Sequence, residues 1–289
     1  MKTLRGFSAG MCLVFTGLVS GLGVAAAQEM PPGPPKVLVI QRELLKPGRA
    51  GNTHLKTESA FVQAMTAAKW PTHYFAAESQ SGVSRALFFV GYPSFAAWEK
   101  DNADMAKNAT LTAAFDHAAL VDGEQLTEFS TGVYAYRDEM SLRAAVDIPH
   151  MRYFEISQFR VRPGHEKDWS DLVKMYQSGF EKAVPNAHWA VFESMYGTEN
   201  GGLYLVITPM KSLAELDERL GDWKKFEAAM GEAGMKKLAE LSAACLASTQ
   251  TNLHQFNPKM SYPPEEWIKA DPDFWKPTTT VAMKKTSTP

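Results

Sequence analysis

Two stretches of this 289-residue chain carry the groups best able to do chemistry. HYFAAES (73–79) and HWAVFES (188–194) share their histidine, glutamate and serine, and an aromatic residue follows the histidine both times. Imidazole titrates near neutrality, so histidine beside a carboxylate could move protons. On an extended strand, side chains alternate between faces. His188, Ala190, Phe192 and Ser194 then share one face, and Trp189, Val191 and Glu193 the other. His73, Phe75, Ala77 and Ser79 likewise oppose Tyr74, Ala76 and Glu78. Within one copy the histidine and glutamate lie on opposite faces and meet only through a bulge.

Which face lines an interior cavity is argued from cost. A carboxylate buried under helices without a partner is expensive, whereas a cavity can hold water or a polar ligand. Glu78 and Glu193 are therefore expected to face the cavity, with Tyr74 and Trp189 as aromatic walls for a small apolar or aromatic molecule. The alternative leaves both glutamates in solvent or salt bridges, as is usual for this residue. His254 and Asn252 share a face of the last strand. His254 could act as a base or a haem ligand, or be hydrogen-bonded structure. Arg160 could hold a ligand carboxylate or join a surface ion pair. Glu78, Glu193 and His254 are the catalytic candidates. Tyr74, Trp189, Asn252 and Arg160 are the ligand-binding ones.

Other signals exclude more than they assign. GFSAG (6–10) fits the nucleophile-elbow pattern but falls in an N-terminal leader. H-E-x-x-H, C-x-x-C, P-loop and dinucleotide-binding patterns are absent, so no metal site is expected. Lys2 and Arg5, the apolar run 11–24 and Ala25-Ala26-Ala27 have the layout of a signal peptide cleaved near Ala27. The run is shorter than the roughly 20 residues of a membrane span. A soluble protein of the periplasm or exterior is expected, with no membrane span. Loss of residues 1–27 removes Lys2 and Arg5 and leaves a net charge of −4. With no basic block before the final tail, no nucleic-acid partner is expected. Cys245 alone remains. It lies in a helical pattern, which favours burial over reactivity.

The elements that must position these residues are written twice. IQRELLKPG (40–48) matches ISQFRVRPG (156–164), LFFVGYPSFAAWE (87–99) matches YLVITPMKSLAELD (204–217), and YAYRDEMS (134–141) matches HQFNPKMS (254–261). Each copy reads strand, Pro-Gly turn, helix, motif strand, third strand, helix, last strand. Trp169, Leu172, Val173, Tyr176 and Phe180 make an apolar stripe of helical period. Ser94 and Ser212 read as helix N-caps, and Ser212 with Glu215 as a capping box.

The order β-α-β-β-α-β is the ferredoxin-like split motif. An α+β fold follows, with tandem units at 37–141 and 150–261. Each four-stranded antiparallel sheet carries its helices on one face, and the bare faces are expected to pack on each other. Residues 28–36 form a proline-rich linker. Residues 262–289 form a tail expected to lack regular structure at first and to fray from about Lys276. Its Trp267, Phe274 and Trp275 are expected to strap onto the barrel or to meet a partner or a second copy.

These features resemble the dimeric α+β barrel superfamily, specifically its tandem NIPSNAP-like and antibiotic-monooxygenase-like members. The carrying residues are the strands ending in KPG or RPG, the helices after them, and the SFAAWE and SLAELD helix starts. The resemblance covers about 36–141 and 150–261. It implies a pseudo-dimeric barrel. It admits cofactor-free monooxygenation, proton transfer, haem binding or no chemistry, because a shared fold does not fix a reaction. It carries no catalytic residue over to this chain. A non-catalytic binding or interaction module is the competing expectation.

Overall fold

A computed structural model describes residues 33–198 and 201–276. The signal-peptide reading, most of the linker and the end of the tail lie outside them. The elements are β1 (Val37–Leu45), α1 (Asn52–Ala68), β2 (Tyr74–Ser79), β3 (Arg85–Tyr92), α2 (Phe95–Lys107), α3 (Ala109–Gly123) and β4 (Leu126–Tyr136), then β5 (Tyr153–Val161), α4 (Glu166–Ala183), β6 (Ala190–Tyr196), β7 (Leu203–Met210), α5 (Ala214–Cys245), β8 (Leu246–Tyr262), α6 (Glu265–Ala270) and α7 (Pro272–Trp275).

The eight strands close into one barrel in the order β1-β3-β2-β8-β5-β7-β6-β4, all neighbours antiparallel. Within it the first four strands run β4-β1-β3-β2 and the last four β8-β5-β7-β6. A closed eight-stranded barrel with helices outside is the architecture of the superfamily that the sequence resembles. The two sheets do not simply stack face to face, as the sequence suggested. β2 pairs with β8 and β4 with β6, edge to edge. Closure gives edge N–H and C=O groups of β2, β4, β6 and β8 ladder partners that stacking alone would leave open.

Alternation sets two cores. Leu38 and Ile40 of β1 point into the barrel with Phe89, Phe154 and Phe256. Val37 and Val39 point outward with Tyr92 and Trp98, beneath α2. In the second half Trp169, Leu172 and Val173 of α4 and Phe226, Leu238 and Leu241 of α5 cover Val191 and Tyr204. Gly179 lets α4 and α5 approach closely: a Cβ there would stand 2.4 Å from Phe226 Cε2. Cys245 is fully buried in this layer.

Ser94 caps α2 as read, its hydroxyl accepting the Ala97 N–H at 3.1 Å. Ser212 does not cap α5. The helix starts two residues later with no side-chain cap, and Glu215 Oε1 accepts the Lys211 N–H instead. The tail departs from the irregular start expected of it. β8 runs on to Tyr262, and α6 and α7 follow. Trp267 and Trp275 sink into the barrel core, and Arg152 pairs with Asp271 and lies over the Phe274 ring. No described helix is long and apolar enough to cross a membrane.

Candidate functional site

One end of the barrel holds a cavity of about 450 Å3. Its walls are Phe75, Phe89, Phe154, Phe192 and Phe256, with Trp267 of the strap above them. The size lies within the ordinary range for small-molecule pockets. Phe75 and Phe89 stack at 4.6 Å, and Phe154 meets Phe89 edge-on at 5.3 Å. Gly33, Pro34 and Pro35, the end of the expected linker, form part of the rim.

One ring deeper lies His254. Its ring stacks on Phe154 with centroids 5.3 Å apart and planes at 14°. It is 2% exposed, and neither ring nitrogen has a hydrogen-bond partner. Burial, and then the Arg85 guanidinium, hold the imidazole down at about 4, so it stays neutral at ordinary pH. Asn252 is also buried, with Nδ2 unpartnered. Register places Arg42, Arg85 and Arg160 at the far end of the barrel, away from the strap. Arg160 Nη1 donates to the Gly201 carbonyl at 2.9 Å. The structure thus places His254 and Asn252 inside the barrel, and Arg160 at the opposite mouth from the cavity.

The expected inward face for the glutamates is reversed. Phe75, Ala77, Ala190 and Phe192 face the barrel interior. Tyr74, Trp189 and Glu193 therefore turn outward, as does Glu78. Glu193 pairs with Arg137 at 3.1 Å and accepts the Tyr204 hydroxyl at 3.1 Å, which pushes that phenol up to about 12 after burial. Glu78 accepts from Asn257 Nδ2 at 2.8 Å. Each carboxylate found a donor on the helix-covered side, so the cost that argued for the interior does not arise. Trp189 packs on Phe180 and donates to the Met140 carbonyl at 3.0 Å. Tyr74 packs against Phe88, and its buried hydroxyl has no partner. Only at the cavity rim, where β2 and β6 begin, do Tyr74 and Trp189 border the space.

The histidines of the repeated motif precede their strands, and both line the cavity. His73 stacks on Tyr262 at 4.7 Å, with Nδ1 unpartnered and its pKa lowered by burial. His188 Nε2 lies 2.8 Å from the Pro209 carbonyl. Their spacing to Phe75 and Phe192, two and four residues on, was a signal that could have marked them as rim groups.

A second set went unread in the sequence. Outside the barrel, Glu43 of β1, His54 and Glu58 of α1, and Asp122 of α3 converge, all buried. His54 Nε2 stands 2.8 Å from Glu43 Oε2, 3.5 Å from Asp122 Oδ1 and 3.8 Å from Glu58 Oε1. Burial, then the charges of Glu43 and Asp122, push the Glu58 carboxyl up to about 10. Burial also raises Glu43, against the pull of the His54 hydrogen bond.

No protein-family model and no curated protein matches the sequence. Among solved structures, the chain is similar to a Fusobacterium nucleatum protein with a provisional monooxygenase assignment (9% identity, TM-score 0.49, covering 78% of this chain and 94% of that one). It is similar to an anthrone oxidase-like protein (14%, 0.47, 79% and 94%). It is also similar to a mutant chlorite dismutase from Candidatus Nitrospira defluvii (10%, 0.43, 82% and 95%).

Proposed function

We propose that this protein binds a small apolar or aromatic molecule in the strapped end of its barrel. The observation that carries this reading is the cavity of about 450 Å3 walled by five phenylalanines and Trp267. Aromatic walls bury a flat ligand by area and by offset or edge contacts. The polar side chains are few: His73, His188 and Glu266. In this reading the chain is a tandem duplication, 37–141 and 150–261, whose halves act as a pseudo-dimer. The repeated strand order supports that. Export through a cleaved leader is part of the same proposal and rests on residues 1–27.

A second reading adds proton-transfer or cofactor-independent monooxygenase-like chemistry. It rests on His254, a neutral imidazole with both nitrogens unpartnered, one ring behind the cavity wall. A ligand reaching past Phe154 would meet it as a base. His254 is not among the residues lining the cavity, so haem ligation, like proton transfer, would need Phe154 to move aside first. Glu78 and Glu193, turned outward and partnered, take no part.

The test is a titration of the protein with 1-naphthol, read by quenching of tryptophan fluorescence. Saturation at one equivalent, with a new phase absent after Trp267→Phe, is expected. Quenching that never saturates overturns the reading.

A further inference from the structure

We propose that Glu43, His54, Glu58 and Asp122 form a binding site for one divalent transition cation of the zinc and manganese class, outside the barrel between β1, α1 and α3.

One donor atom from each residue lies within 4.8 Å of the other three. Ligands about 2.1 Å from a common ion stand roughly 3.0–3.4 Å apart. The observed separations from His54 Nε2 of 2.8, 3.5 and 3.8 Å bracket that range. An ion entering between them would replace the His54–Glu43 hydrogen bond and draw the four donor atoms, all within 4.8 Å of one another, around itself. The donor set also selects the ion. Calcium and magnesium take oxygen ligands, whereas an imidazole with carboxylates suits zinc, manganese or ferrous iron.

The groups are arranged as if for a missing partner. Glu43, His54, Glu58 and Asp122 are 6%, 0%, 3% and 2% exposed. Glu58 Oε1 has no hydrogen-bond partner and points at the cluster, 3.8 Å from the imidazole. Among the described residues, no lysine or arginine pairs with any of the four. A metal ion would stabilise the ionised form of these buried carboxyl groups, which otherwise have only the imidazole as a basic partner. Thr57 Oγ1 lies within hydrogen-bond distance of both Asp122 Oδ1 and the His54 carbonyl, a placement that orients a ligand carboxylate. A neighbouring cleft is lined by Thr57, Ala118, Val121 and Gln125, and Thr57 joins it to Asp122.

The fold does not impose this polarity. Phe159 stands one residue before the β5 bulge, as Glu43 stands one before the β1 bulge. There Phe159 packs on Trp169 of α4, with Val173 one turn further along and Leu241 beside them. The same sheet–helix junction thus closes with apolar groups in the other half.

The test titrates chelator-treated protein, residues 28–289, with Co2+ and then Zn2+. One equivalent of Co2+ is expected, giving visible d–d bands that Zn2+ removes. Glu58→Gln keeps the shape of the protonated carboxyl while removing an anionic ligand, and should weaken binding at least tenfold with an unchanged circular dichroism spectrum. X-ray absorption on the zinc-loaded wild type should show nitrogen and oxygen donors with imidazole scattering. That readout holds even if a variant fails to fold. Absence of stoichiometric Co2+ and Zn2+ binding, equal affinity in folded Glu58→Gln, or a spectrum without imidazole each overturns the assignment.

Discussion

His254 lies flat against Phe154, 5.3 Å between centroids, with neither ring nitrogen hydrogen-bonded. A neutral imidazole is thereby held in an apolar wall, and protonation there is opposed by burial and by Arg85. In the unfolded chain the same group titrates near 6.5. The unfolded state therefore takes up the proton first as pH falls. The contribution to stability is full above about pH 6.5 and is lost down to about 4. It amounts to on the order of 3 kcal/mol, at 1.36 kcal/mol per unit. Urea unfolding of wild type and His254→Leu at pH 7, 5.5 and 4 measures it. The gap between the two proteins should move in favour of the leucine variant as pH falls. Other groups, Glu58 among them, titrate in both proteins and cancel in the difference. A gap independent of pH contradicts the burial.

Trp275 closes the barrel from the tail. It is fully buried, and its indole N–H donates to the Pro149 carbonyl at 2.7 Å. Trp275→Ala removes a large ring and leaves a void, which costs about 3–5 kcal/mol in a packed core. The urea midpoint should fall accordingly. A change below about 1 kcal/mol would mean that the strap is not part of the core.

Glu193 is a half-buried ion-pair member on the outer face, joined to Arg137 and Tyr204. Glu193→Gln should change stability by no more than about 1 kcal/mol, and should leave the affinity for 1-naphthol unchanged. A tenfold loss of affinity would return this carboxylate to the cavity.

Much of the architecture was legible because its punctuation is plain in the sequence. The Pro-Gly turns, the Ser94 cap and the Trp169-to-Phe180 stripe each fix a local element whose order implies the strand order. The face of each strand was not legible. β1 reads VLVI, apolar on both sides, since one side packs inside the barrel and the other under helices. With no alternation to read, Glu78 and Glu193 were placed by the cost of burial, and Asn257, Arg137 and Tyr204 had already removed that cost. Ser212 failed as a cap because α5 begins after Leu213, whose backbone is already helical. The cluster around His54 was illegible for another reason. Its members come from three elements, and only His54 and Glu58, one turn apart, share a local spacing.

The cavity itself is tested most directly by Ala190→Phe. Ala190 lines the cavity and is 8% exposed, so a phenyl ring there fills the space a ligand would use. Isothermal titration with 1-naphthol should give one-to-one binding to the wild type. Binding to folded Ala190→Phe should be at least tenfold weaker. Equal binding to both proteins, or none to the wild type, contradicts a ligand site at the strapped end of the barrel.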